Sequence, residues 1–120
     1  MQSSMIHKGS CHCGNIKFEA QGDIGPVLEC NCSHCQRKGF LLWFIPREKF
    51  KLLTSEKDIS TYLFNKHVIE HKFCAKCGTQ PFAYGTDPQT KSPTAAINVR
   101  CIEGIDLLSL KRIPFDGKSM

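Results

Sequence analysis

Gly9-Ser10-Cys11-His12-Cys13-Gly14 and Phe73-Cys74-Ala75-Lys76-Cys77-Gly78 each hold two closely spaced thiols followed at once by glycine. In extended chain, Cys11 and Cys13 point to the same side, so both can reach one ion from a strand end. Cys74 and Cys77 do the same around a tight turn, and Gly78 lets the chain leave with positive φ. Zinc–thiolate bonds of about 2.3 Å place the sulfurs of a tetrahedral site roughly 3.7 Å apart. Four thiolates complete such a site. The spacing therefore predicts a closed, structural zinc on Cys11, Cys13, Cys74 and Cys77. That clip joins chain segments about 60 residues apart, which offsets loop-closure entropy and fixes topology.

The chain between and beyond these pairs reads as short strands. Residues 15–20 alternate, with Ile16 and Phe18 on one face. Residues 27–30 form a short strand. The apolar run Phe40-Leu41-Leu42-Trp43-Phe44-Ile45 reads as a buried strand closed by Pro46, and at least one of Trp43 and Phe44 belongs to the core. Residues 51–53 read as another strand, followed by a turn at 55–58. Residues 59–64 and 67–73 flank Asn65-Lys66 and predict a hairpin. Residues 80–84 are a further strand, which Pro81 would place at a sheet edge. A polar loop at 85–93 leads into a strand over 94–100, and Asp116-Gly117 is a turn. Helix signals are confined to residues 33–38, about one turn, with Gly39 as the stop. The fold class is mainly β: a small sheet assembly with zinc knuckles at strand ends and little helix.

Composition agrees with this. The chain has 120 residues, 41% apolar and 22% charged. That suits a single zinc-binding domain over residues 1–120, with an ordered core at about 5–117. The longest apolar run is far too short to span a bilayer, and residues 1–8 hold no apolar stretch of signal-peptide length. The expected location is cytoplasmic, a reducing compartment in which eight cysteines read as metal ligands rather than disulfides. The formal net charge is +5. Seven thiolates around two zinc ions bring seven negative charges and four positive ones, which lowers the total to about +2. No nucleic-acid or membrane partner is expected.

The middle cluster, Cys30-Asn31-Cys32-Ser33-His34-Cys35, differs from the outer two. Three thiols within one short segment can hold an ion without help from elsewhere. Three protein ligands leave one tetrahedral position open, the mark of a catalytic zinc. Spacing alone leaves a second partition standing, in which Cys101 supplies a fourth ligand and the eight cysteines divide into two closed sites. That partition describes a non-catalytic zinc module or thiol carrier. His34 or His71 would also serve to close the site. His12 and His34, inside the knuckles, read as exposed residues between ligands.

Taken in order, these residues resemble the glutathione-dependent formaldehyde-activating enzyme family, which includes centromere protein V-like proteins. The resemblance runs from Gly9 to Gly117. It rests on the three cysteine clusters, with His71-Lys72 preceding the third, and on the closing segments Ile97-Asn98-Val99-Arg100-Cys101 and Phe115-Asp116-Gly117. It implies a fold of the β-tent type. It implies a structural zinc on Cys11, Cys13, Cys74 and Cys77, and a second, open zinc on Cys30, Cys32 and Cys35. It also implies carbon–sulfur lyase chemistry, with glutathione and formaldehyde on one side and S-hydroxymethylglutathione on the other. Many relatives carry Arg directly after the last cysteine of the middle cluster; here Gln36 stands there and Arg37 follows.

The implied reaction joins a thiol to a small aldehyde. Free thiols have a pKa near 8.5, and the thiolate is the nucleophile. A zinc with a vacant position can acidify an incoming thiol or polarise a carbonyl; three thiolates on the ion favour the first. No general acid or base is assigned. Glutathione carries two carboxylates, for which Arg37, Lys38, Arg47 and Arg100 are candidate partners, each otherwise read as part of a solvated basic surface.

Overall fold

Phe18 and Ala20 alternate inward from strand β2 (Lys17–Gln21) and are fully buried, as is Ile16 just before it. The computed structural model describes residues 5–30, 37–63, 70–87 and 90–115. Among these, β2 pairs antiparallel with β1 (Ile6–Ser10) and β5 (Phe50–Leu52) in a three-stranded sheet. A seven-stranded sheet holds the rest. Its strands are β3 (Val27–Cys30), β4 (Leu42–Pro46), β6 (Ile59–Tyr62), β7 (Glu70–Cys74), β8 (Phe82–Thr86), β9 (Pro93–Asn98) and β10 (Arg112–Phe115), in the order β10-β3-β4-β9-β8-β7-β6. All neighbours run antiparallel except β10, which lies parallel to β3. The fold is mainly β, and among the described residues the helical pieces are short, 3-10 turns such as Arg47–Lys49 and Val99–Cys101 with an α-helical pair at Arg37 and Lys38.

The two sheets meet across a cluster of aromatic rings. Phe18 and Phe50 from the small sheet stack at 5.4 Å between centroids. Phe50 packs on Phe82 at 4.6 Å and Phe82 on Tyr84 at 5.1 Å, both on β8 of the large sheet. Arg47 closes the outer end of this column, its guanidinium 3.2 Å from the Tyr84 ring centre. Cation–π contact of this kind adds to the packing where the ring is partly shielded from water. Burial raises the Tyr84 hydroxyl above its ordinary pKa, and the Arg47 charge opposes that shift.

Several sequence expectations meet the structure directly. The residues on either side of Asn65-Lys66 do pair, Tyr62 opposite His71 and Ile59 opposite Cys74, with the turn itself outside the described residues. Ser55 opens the turn expected near 55–58 by accepting the Lys57 N–H. Arg37 and Lys38 are helical, and Gly39 stops them at φ 71°. Residues 33–36 and Asp116-Gly117 lie outside the described residues.

Four expectations are corrected. Pro81 does not put its strand at an edge, because β8 sits between β7 and β9. The proline stands just before the ladder and contributes only its carbonyl, which accepts the Asn98 N–H at 2.9 Å, so its missing N–H costs nothing. The run 40–45 is not buried throughout. Trp43 and Ile45 face the core, whereas Phe44 is 52% exposed, as one solvated face of an antiparallel sheet allows. The strand over 94–100 ends early, at Asn98. The Asn98 side chain accepts the Arg100 N–H at 3.2 Å and turns the chain into the Val99–Cys101 3-10 segment. The polar loop is shorter than 85–93, since Gly85 and Thr86 belong to β8 and Pro93 opens β9.

Candidate metal centre

The first and third cysteine pairs meet where the two sheets are joined. Cys11 directly follows β1 of the small sheet, and Cys74 ends β7 of the large one. The four sulfurs of Cys11, Cys13, Cys74 and Cys77 all lie within 4.8 Å of one another. Cys11 Sγ is 3.7 Å from Cys13 Sγ, and Cys13 Sγ is 3.6 Å from Cys74 Sγ. These separations match the edge of about 3.7 Å in a tetrahedron of sulfurs around a metal bonded at about 2.3 Å. The donor set and its spacing therefore fit zinc.

Local backbone geometry builds each half of the site. In the first knuckle, Cys11 N–H donates to the Ile16 carbonyl at 3.0 Å and Gly14 N–H to the Cys11 carbonyl at 3.3 Å. In the third, Gly78 N–H returns to the Cys74 carbonyl and Cys74 N–H donates to the Thr79 carbonyl, both at 2.9 Å. Gly14 at φ 85° and Gly78 at φ 80° supply the left-handed turns that release the chain. Backbone donors also point at the sulfurs. Ile16 N–H reaches Cys11 Sγ at 3.3 Å, and the Lys76 and Cys77 N–H groups reach Cys74 Sγ at 3.4 Å. Such donors favour the thiolate form that a metal requires.

The electrostatics point the same way. Hydrogen bonding from Asn15 backbone lowers the Cys13 thiol, but desolvation and the crowded sulfurs of Cys74, Cys11 and Cys77 push it up to about 11. Burial works against ionising Cys77. Hydrogen bonds with the side chain and backbone of Thr79, the backbone of Cys13 and the Cys74 side chain overcome it and bring Cys77 down to about 5. Cys77 Sγ and Thr79 Oγ1 are 3.5 Å apart. Four sulfurs this close cannot all ionise by themselves. A divalent cation held by Cys11, Cys13, Cys74 and Cys77 would supply the positive charge that favours their ionised form.

Two of the four thiols are buried and two are not. Cys11 and Cys74 belong to the hydrophobic core, Cys77 is half-buried and Cys13 is exposed. The site is thus part of the packing between sheets and also open to water on one side.

The middle cluster is only partly described. Cys30 ends β3 and is half-buried; Cys32, His34, Cys35 and Gln36 lie outside the described residues. Cys101 sits in the 3-10 segment after β9, and burial pushes its thiol up to about 11, with the charges of Cys11 and Cys77 adding to the shift. It therefore neighbours the first cluster. His12 is exposed, as expected of a residue between ligands. His71 is buried in β7, with Nδ1 hydrogen-bonded to the Gln80 amide at 3.2 Å.

The four candidate cations separate. Arg37 and Lys38 follow the middle cluster directly and are exposed. Arg47 lies beyond the far end of β4, stacked on Tyr84. Arg100 Nε is committed to the Gly39 carbonyl at 2.8 Å. The polar partners Gln80 and Asn98 were not anticipated. Their one sequence signal is position: Asn98 stands in the apolar run Ala95-Ala96-Ile97-Asn98-Val99.

Two comparisons with known proteins accord with this geometry. A family model described as glutathione-dependent formaldehyde-activating enzyme matches residues 6–108. A crystal structure of a Rhodobacter sphaeroides protein superposes with a TM-score of 0.77 at 24% identity, covering 89% of this chain and 97% of that one. At that identity the likeness speaks to the fold alone.

Proposed function

Because the chain belongs to the glutathione-dependent formaldehyde-activating enzyme family, we propose that it is a zinc-dependent carbon–sulfur lyase. It joins a thiol such as glutathione to formaldehyde or a related small aldehyde. The reading assigns two zinc ions per chain. Cys11, Cys13, Cys74 and Cys77 hold a structural ion; Cys30, Cys32 and Cys35 hold a second, with one position left to exchange.

The observation that carries this reading is the self-sufficiency of the first cluster. Its four sulfurs lie within 4.8 Å of one another and need nothing from residues 30–35. The reading gives the middle thiols to a separate ion. Cys101, the one candidate fourth ligand among the cysteines, has its carbonyl oxygen packed against Gly9 in β1, on the side of the first cluster.

In the synthetic direction, the thiol sulfur bonds to the carbonyl carbon. The carbonyl π pair moves to oxygen, and that oxygen ends with the proton the thiol gave up. Zinc at an open three-thiolate site supplies the acidification that makes a thiol nucleophilic at neutral pH. The chain itself holds the ion through Cys30, Cys32 and Cys35. Arg37 and Lys38, exposed beside that segment, suit the anionic ends of a peptide thiol.

Cobalt substitution tests the reading. Titrating the cobalt-loaded protein with glutathione is expected to change the thiolate-to-metal absorption of one ion and leave the other untouched. A spectrum unaltered by glutathione, with four protein ligands at each ion, would return the protein to a non-catalytic zinc module.

A further inference from the structure

The four sulfurs of the first cluster differ in what reaches them. Cys74 is fully buried, and two backbone N–H groups point at its sulfur, those of Lys76 and Cys77, each at 3.4 Å. Cys11 is 2% exposed and takes the Ile16 N–H at 3.3 Å. Cys77 is half-buried. Thr79 meets its sulfur with backbone and with a hydroxyl 3.5 Å away, and the Cys13 backbone adds a further bond. Cys13 is the one exposed residue of the four. Its sulfur lies 3.7 Å from that of Cys11 and 3.6 Å from that of Cys74, and the Asn15 backbone hydrogen-bonds to it.

A metal ionises the thiols that bind it, so in the loaded cluster the fraction of thiolate no longer separates the four. Two things still do. Access is one, since reaction follows thiolate character and exposure together. Basicity is the other. A hydrogen bond donated to a thiolate stabilises it, and a less basic sulfur is a poorer nucleophile. Cys11 and Cys74 are shielded by burial. Cys77 keeps some access, but Thr79 stands against it. A hydroxyl rotates to suit its partner, so the Thr79 O–H donates to the Cys77 sulfur once that sulfur has given up its own proton. Cys13 combines full ionisation with open access.

We infer that Cys13 is a modification site: in the zinc-loaded protein its sulfur is the one of the four that a soft carbon electrophile takes first, and Thr79 keeps Cys77 from sharing the reaction. With an alkyl iodide, the Cys13 sulfur bonds to the carbon, the carbon–iodine bond breaks, and iodide leaves with the electron pair. No proton moves, because the bound thiol is already ionised. The product is a neutral thioether, which leaves three thiolates for the ion. The clip joins Cys11, after β1, to Cys74, at the end of β7, so an adduct at this one exposed position weakens the hold between the two sheets. The inference rests on zinc at Cys11, Cys13, Cys74 and Cys77 and asks nothing of the middle cysteines.

The test is alkylation of the zinc-loaded full chain with limiting iodoacetamide, read cysteine by cysteine by tandem mass spectrometry of its peptides. Metal analysis beforehand counts the ions. Adduct at Cys13 is expected to accumulate on the order of tenfold faster than at Cys11, Cys74 or Cys77. In Thr79→Val, which removes the hydroxyl and keeps the branched shape, the Cys77 rate is expected to rise about threefold while that of Cys13 holds. Thr79→Ser, which restores the hydroxyl, is expected to return Cys77 to the parent rate. Cys11, Cys74 or Cys77 reacting first in the parent, or all four at one rate, overturns the inference. A Cys77 rate unmoved by Thr79→Val overturns the part given to Thr79. A parent that holds a single zinc removes the second-ion reading and leaves the order of labelling to decide this one; a parent that holds none overturns both.

Discussion

Cys74→Ser is expected to abolish cooperative thermal unfolding, leaving a chain that no longer holds its two sheets together. Cys74 is fully buried, its sulfur accepts two backbone N–H groups, and it touches the Cys13 sulfur at 3.6 Å. Apparent binding free energies at structural zinc sites are on the order of 10 kcal/mol, and that energy is folding free energy. Total stabilities of small proteins are about 5–15 kcal/mol. Removing one of four ligands therefore consumes most of the margin. Cys32→Ser is expected to do much less to the fold: the protein should melt cooperatively near the parent temperature and lose one zinc equivalent. Circular dichroism melts combined with metal analysis on both variants make the comparison. If Cys32→Ser melts the lower of the two, the division of the cysteines is wrong.

Gly9→Ala should lower stability clearly but less, for a steric reason. Gly9 is buried in β1, opposite Phe18 on β2 and bridged on its other side to Ile102. A Cβ at this position would run into Phe18 Cζ and come within 2.8 Å of the Cys101 carbonyl oxygen. The Phe18 ring is fully buried against Phe50 and Phe82, so it has nowhere to retreat. Overpacking of this kind costs about 3 kcal/mol, a fall in Tm on the order of 10 °C. Gly25→Ala is the control. Nothing lies within 4 Å of its new methyl and its φ is not left-handed, so its Tm should equal or slightly exceed that of the parent. Equal melting of parent and Gly9→Ala would show that β1 can shift away from residues 101–102.

The cysteine clip was legible because its physics is local: a bond length and a tetrahedral angle dictate the spacing, and glycine marks the exits. The strand at Lys17–Gln21 was legible because Phe18 and Ala20 sit at period two. β1 was not, since Ile6-His7-Lys8-Gly9-Ser10 has no apolar alternation; what makes it a strand is pairing with β2 and the close fit at Gly9. β10 was hidden by Pro114 and by its dependence on a partner early in the chain. The misplacement of Pro81 has a similar origin. A proline forbids a ladder bond only at its own nitrogen, and its place relative to the first ladder pair is a tertiary fact. The burial of Gln80 and Asn98 was equally out of reach, because nothing in a residue's type announces that it will be polar and buried.

The parallel seating of β10 on β3 bears on how the protein is made. Val27 finds its β10 partner, Arg112, only after every other described strand has been synthesised, and the Glu29–Arg112 ion pair at 3.8 Å forms at the same late stage. Until then β3 lacks the ladder that β10 supplies along one flank. Such a flank is a template for a neighbouring nascent chain. The outer edge of β3 is thus open to mispairing until residues 112–115 reach it.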